Sequence, residues 1–146
     1  MKILDLPPLW LALFVALVWG IGVVPLRLFG GWGDALGWSL VVAGLLLMAV
    51  AAVQMVLART SFIPRRDPAA LVTGGVFRLS RNPIYLGDAL VLLGVVLIRD
   101  AALALPLVPL FAWLITQRFI LGEEARLRAA FGPAFAAWAA RTRRWL

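Results

Sequence analysis

Three groups of residues carry side chains able to do chemistry. The first is the run Thr73-Gly74-Gly75-Val76-Phe77-Arg78-Leu79-Ser80-Arg81-Asn82-Pro83-Ile84-Tyr85-Leu86-Gly87. Gly74 and Gly75 permit a turn with positive φ and let a ligand approach the backbone. Pro83 suits the first turn of a helix, where its missing N–H costs nothing, and Asn82 before it suits the cap. The free N–H groups of such a helix start make an anion site, and Tyr85, the one tyrosine of the chain, lies in that first turn. The second group is Asp88, three residues after Tyr85 and therefore on the same helical face. The third is Glu123-Glu124, followed by Arg126 and Arg128. Two acids suit a helix start after Gly122, and pairing of Glu124 with Arg128 and of Glu123 with Arg126 accounts for them on spacing alone. Taken together, a tyrosine, carboxylates and arginines near helix N-termini hold a polar ligand that bears both positive and negative groups. Taken one by one, they are a Gly-Pro loop, a capped helix with an interfacial aromatic, and a salt-bridged helix start.

The residue types that are missing narrow the chemistry further. With no Cys, disulfides, thiolate nucleophiles, iron–sulfur clusters and thiolate zinc sites are excluded. With no His, Ser-His-Asp triads, imidazole haem ligation and most catalytic zinc sites are excluded as well. The seven acids are mostly scattered, and no metal is expected.

An excess of apolar residues sets the elements that position these groups. Of 146 residues, 64% are hydrophobic and 14% charged, where soluble domains have roughly 45–50% and 25%. A domain of this size buries only about two-thirds of what its unfolded chain exposes, so the excess faces lipid. The fold class expected is all-α: one polytopic membrane domain over 1–146, with about four transmembrane helices and a C-terminal amphipathic helix. The spans run over about 9–28, 36–58, 84–98 and 101–118, with Gly30-Gly31-Trp32-Gly33-Asp34 as a turn between the first two. The first run is read as a span, not a signal peptide, because it is long, lacks an Ala-x-Ala site and contains Trp10 and Trp19. Arg99-Asp100 turns the chain between the third and fourth spans, and Pro106 and Pro109 inside the fourth are expected to face other helices or a cavity. Asp5, Asp34 and Asp100 fall at ends or turns and are read as solvated. Beyond the spans, Leu127, Phe131, Ala134, Phe135 and Trp138 recur at helical spacing. They describe a helix lying on the membrane or folding back over the bundle, with Trp145 anchoring its end.

The net charge of +7 is a matter of topology before it is a sign of nucleic acid. Lys2, Arg59, Arg65, Arg66, Arg78, Arg81, Arg118, Arg126, Arg128, Arg141, Arg143 and Arg144 fall on one side of the spans, and only Arg27 and Arg99 on the other. The basic-rich side is cytoplasmic, which places both termini inside the cell (inner) membrane and leaves no nucleic-acid partner expected. The same topology brings residues 81–88 and 118–124 to one membrane face.

The segment from Thr73 through Arg81-Asn82-Pro83-Ile84-Tyr85-Leu86-Gly87 is followed about 35 residues later by Glu123-Glu124-Ala125-Arg126-Leu127 and Phe131-Gly132. This pattern resembles the integral-membrane methyltransferases, the isoprenylcysteine carboxyl methyltransferase family and its phospholipid N-methyltransferase relatives. The resemblance covers residues 71–146. It implies S-adenosylmethionine as cofactor, with S-adenosylhomocysteine as product, bound without a Rossmann domain. The absence of a Gly-x-Gly-x-x-Gly run between a strand and a helix agrees with this. It further implies that Arg81, Asn82, Pro83, Tyr85 and Gly87 shape one wall of the cofactor site, with backbone contacts from Gly74 to Val76. Glu123 and Glu124 supply the other wall, one carboxylate taking the methionine ammonium. Arg118 matches a position where relatives carry an arginine near the substrate. It is the catalytic candidate for orienting a carboxylate acceptor, and Asp88 is the candidate base for an amine. Asn82 stands where many relatives have His, so no proton is taken up there near neutral pH. Phe135 and Trp138 stand where relatives often have tyrosines. The implied partners are the lipid bilayer and a lipophilic methyl acceptor, most like that of isoprenylcysteine carboxyl O-methylation. The alternatives are a phospholipid or a small lipophile methylated at N, S or O. A small proton-coupled transporter built on Asp88 and a non-catalytic membrane subunit are the readings of a different class.

Overall fold

The computed structural model describes residues 6–24, 28–61 and 68–146, and all regular structure among them is helical. Five α-helices follow in order: α1 (Pro7–Ile21), α2 (Gly30–Leu57), α3 (Pro83–Ile98), α4 (Leu107–Ile115) and α5 (Leu121–Ala139). Short 3-10 turns at Gly75–Arg78 and Ala102–Ala104 precede α3 and α4, and a π-turn at Thr116–Ile120 joins α4 to α5. The expectations for Lys2, Asp5, Arg27, Arg65 and Arg66 lie outside the described residues.

Among the described residues, α2 and the stretch Ala102–Ala139 are long and apolar enough to cross a membrane, and α1 and α3 are shorter apolar helices. One side of α2 leaves Trp38, Val42, Leu45, Leu46, Val53 and Val56 exposed, a contiguous apolar face of the kind that lipid covers. The chain is an all-α membrane protein.

α2 and α3 meet through glycines. A Cβ on Gly94 would lie 2.6 Å from the Gly37 carbonyl oxygen, and one on Gly87 would lie 2.7 Å from that of Gly44. Small residues at such crossings let backbones touch where no hydrophobic gain draws helices together in lipid. A second face of α3 packs with α1, α4 and the π-turn around Phe14, Val18, Leu92, Val96, Phe111 and Phe119. Phe14 and Phe111 stack edge to face at 5.3 Å. A separate cluster of Ala51, Phe77, Phe135 and Trp138 lies beneath α5.

Four local expectations are corrected. The Gly30-to-Asp34 run is the first turn of α2, not a loop. The Asp100 carboxylate accepts the N–H groups of Leu28 (2.9 Å), Phe29 (2.8 Å) and Gly30 (3.3 Å), occupying donors that a helix start leaves unpaired. Asp100 keeps its place in the turn after α3, but its carboxylate acts as a cap and is not simply solvated. In the fourth span, Pro106 precedes α4 and Pro109 falls in its first turn, where a missing N–H leaves no carbonyl stranded. Finally, no helix begins at Gly122, because the backbone runs helically from α4 through the π-turn into α5. The bend comes later, at Gly132 (φ 46°, ψ −116°) just before Pro133, and it folds the second half of α5 over the bundle.

Candidate active site

The start of α3 is fixed by its neighbours more than by a self-made cap. Pro83 occupies the first turn, but the Asn82 side chain does not cap the helix. Its Nδ2 donates to the Arg144 carbonyl at 2.9 Å. Ser80 Oγ accepts the Asn82 N–H (3.0 Å) and donates to the same Arg144 carbonyl (3.1 Å). Gly75 has the positive φ (55°) expected of the glycine pair. The reason is α2: a Cβ there would collide with the Gln54 side chain, whose Oε1 accepts the Val76 N–H at 3.2 Å. The Phe77 carbonyl accepts the Trp138 indole N–H at 3.2 Å, which ties this turn to α5.

A cavity of about 460 Å³ opens between α3, α5, the segment after residue 68, the C-terminal half of α2 and the start of α1. Seven of the residues singled out in the sequence line it: Arg81, Asn82, Pro83, Tyr85, Asp88, Glu123 and Glu124. Arg126 also faces it, with apolar wall from Met48, Met55, Leu71, Val72, Ile84, Leu127, Phe135 and Trp138. The pairing of Tyr85 and Asp88 at i+3 is thus realised. Four other candidates are absent from its lining. Gly74 and Val76 belong to the turn against α2, and Gly87 is in contact with Gly44 and Met48. Arg118 lies in the π-turn with its guanidinium 5.1 Å from the ring centre of Trp10 on α1.

The two glutamates have different surroundings. The Tyr85 hydroxyl donates to Glu123 Oε1 at 2.8 Å. Glu124 receives a bidentate pair from Arg144, Nε to Oε1 at 2.9 Å and Nη2 to Oε2 at 2.7 Å, with Arg81 Nη2 at 3.4 Å. Burial alone would raise the Glu124 pKa, but the Arg144 hydrogen bonds and the charges of Arg81, Arg144 and Arg128 hold it below the ordinary glutamate range. The same hydrogen bonds raise the pKa of Arg144. Arg128, expected to pair with Glu124 along the helix, contributes as one of those charges. Arg81, which lines the cavity, keeps a buried Nε with no hydrogen-bond partner among the described residues.

Sequence reasoning missed Arg144, Ser80 and Gln54 as parts of this arrangement. Gln54 was visible as a polar side chain within an apolar span. Arg144 was hidden in the basic tail, where positive charge already had a topological explanation.

Carboxylates, a free guanidinium donor and an apolar wall suit a ligand with cationic and anionic groups on an apolar body. Among the described residues, no cluster of His, Cys, Asp and Glu could hold a metal ion. Residues 32–134 match a family model described as phospholipid methyltransferase (PEMT). No curated protein and no solved structure matches the chain.

Proposed function

The chain belongs to the phospholipid methyltransferase family, and on that premise we propose that its cavity binds S-adenosylmethionine and a lipophilic acceptor for methyl transfer between them. The reaction takes place at the cytoplasmic face of the cell (inner) membrane, where the basic residues of the chain collect. The observation that carries this reading is the meeting of Arg81, Tyr85, Asp88 and Glu123 in one cavity. Its volume falls within the roughly 300–1,000 Å³ of small-molecule sites.

The orphaned Arg81 Nε fits the carboxylate of the cofactor's methionine part, and Glu123, oriented by the Tyr85 hydroxyl, fits its ammonium. Phe77, Ile84, Phe135 and Trp138 offer apolar surface for the adenosine. When bound, the cofactor supplies a methyl group already activated by a positive sulfur. The chain's own tasks are then to align the acceptor and to exclude water. S-adenosylhomocysteine is the product released.

Asp88 favours an amine acceptor. Its side chain is 5% exposed and lines the cavity one helical turn beyond Tyr85. There it attracts a nitrogen head group and takes the proton that an amine must lose before attack. Carboxyl methylation of the isoprenylcysteine type is the second reading. A carboxylate acceptor needs no base but needs a cation to orient it. Arg126 lines the cavity and serves that reading better than Arg118, which lies against Trp10.

The test is calorimetric binding of S-adenosylmethionine and S-adenosylhomocysteine to detergent-purified protein. Transfer of labelled methyl to phosphatidylethanolamine and to a prenylcysteine carboxylate is measured alongside. Micromolar cofactor binding and methylation of the amine are expected. Asp88→Asn should lower amine turnover by about 10²-fold or more while S-adenosylhomocysteine still binds. No binding by folded protein overturns the reading, and turnover of the carboxylate alone moves it to the second acceptor.

A further inference from the structure

The last residues of the chain lie beyond the matched segment 32–134, yet they are closely tied to the cavity wall. After α5 ends at Ala139, the backbone crosses the start of α3. The Arg143 carbonyl accepts the Arg81 N–H at 2.9 Å. The Arg144 carbonyl accepts from both Ser80 Oγ and Asn82 Nδ2, and the Arg144 guanidinium grips Glu124. Trp145 Nε1 then donates to Thr116 Oγ1 at 3.2 Å. Three of these partners, Arg81, Asn82 and Glu124, line the cavity.

We propose that residues 141–146 form a strap completing the cofactor site and that Arg144 is its positioning residue. This rests on the cofactor reading given above. The planar guanidinium fork matches both oxygens of Glu124, so Glu124 is neutralised and fixed beside Glu123, the carboxylate assigned above to the ligand's ammonium. Through its carbonyl, Arg144 also holds Ser80 and Asn82, and with them the corner that carries Arg81. Asn82 devotes its side-chain donor to the strap, which gives the residue a purpose that needs no protonation.

The strap can be loosened without dismantling the core. The Arg144 side chain is 36% exposed, and both buried apolar clusters form without it. If the strap holds the site in its binding geometry, an occupied site must hold the strap by the same factor, because coupling between two equilibria is reciprocal. Leu146 is 68% exposed, so in a purified chain of residues 1–146 a carboxypeptidase reaches the strap from there.

The experiment uses the full chain in detergent. It measures S-adenosylhomocysteine affinity by calorimetry for wild type, Arg144→Gln and Arg144→Lys. It also measures the rate of C-terminal trimming by carboxypeptidase with and without S-adenosylhomocysteine. Arg144→Gln should weaken binding by about tenfold or more, through loss of a charge-assisted bidentate bond, with Arg144→Lys between it and wild type. Trimming of wild type should slow as S-adenosylhomocysteine saturates, and Arg144→Gln should lose that protection. A strap that merely stabilises the fold would lower the melting temperature and leave affinity and protection unchanged, which overturns the proposal. Should Arg144→Gln fail to fold, wild-type protection and the Arg144→Lys affinity decide alone. Wild type that binds no S-adenosylhomocysteine overturns the cofactor reading and the strap with it. Binding without any effect of the strap overturns the strap alone.

Discussion

Gly87→Ala separates a cofactor contact from a helix contact. The family resemblance assigns Gly87 to the wall of the cofactor site, whereas the structure sets it against α2. A Cβ on Gly87 lies 2.5 Å from Met48 Cγ and 2.7 Å from the Gly44 carbonyl oxygen, where ordinary contact begins at 3.4 Å. The methionine can swing aside, but the backbone oxygen moves only with its helix. α3 must therefore back away from α2 by about 0.7 Å at this point, an overpacking that costs about 1–3 kcal/mol. The displaced turn also carries Tyr85 and Asp88, and Tyr85 reaches Glu123 by a bond of only 2.8 Å. Unfolding of Gly87→Ala in detergent should show a stability loss of about 2 kcal/mol together with weakened S-adenosylhomocysteine binding. Gly94→Ala makes an equivalent clash, 2.6 Å from the Gly37 carbonyl oxygen, but two helical turns farther along α3. It should lose similar stability and keep its affinity. Gly20→Ala, with nothing within 4 Å of the added carbon, is the unstrained control. Wild-type stability of both Gly87→Ala and Gly94→Ala would refute the packing argument. Equal loss of binding in the two would refute the claim that the effect is local to the site.

Two further outcomes follow from the carboxylates. Asp100→Ala removes the acceptor for three N–H groups at the start of α2 and should cost about 0.5–2 kcal/mol of stability, as lost caps do. S-adenosylhomocysteine affinity should stay unchanged, because Asp100 lies past the far end of α3, about 24 Å along the helix from Pro83. Glu124 titrates below the ordinary range in the folded protein, so in acid the unfolded chain takes up its proton first and stability falls with pH. Its contribution is complete above the unfolded value of about 4.3 and is lost as pH drops through the lower folded value. The melting temperature of wild type should therefore exceed that of Glu124→Gln by a constant margin from neutral pH to about pH 5, then converge with it in stronger acid. A margin still undiminished at about pH 3 would show that the ionised pair contributes nothing.

The helices were legible as long apolar runs, since lipid imposes one requirement on every residue of a span. Their ends depended on distant partners. Gly30-Gly31-Trp32-Gly33-Asp34 has the composition of a turn, yet it is helix, and Asp100, some 70 residues away, accepts the N–H groups of Leu28, Phe29 and Gly30 at its start. Gly122 after an apolar run resembles a boundary, yet buried Phe119 and Ile120 on one side and Glu124 on the other hold the backbone in register through the π-turn. The break falls instead at Gly132, where φ is positive.

That break also decides which arginine meets the carboxylates. Tyr85 and Asp88 share a face by periodicity alone, so their convergence needed no tertiary knowledge. Arg128, four residues after Glu124, was the partner that helical spacing offered, yet it acts only as one of several nearby charges. Arg118, which the family resemblance put near the substrate, lies against Trp10 on α1. Arg144, 20 residues beyond Glu124, reaches it because the bend at Gly132 returns the tail across the start of α3. A basic tail satisfies the topology rule whichever of its arginines points inward, so that rule accounts for the charge and says nothing of its use. The specific partner of Glu124 was set by the path of the backbone after Pro133, which no local spacing encodes.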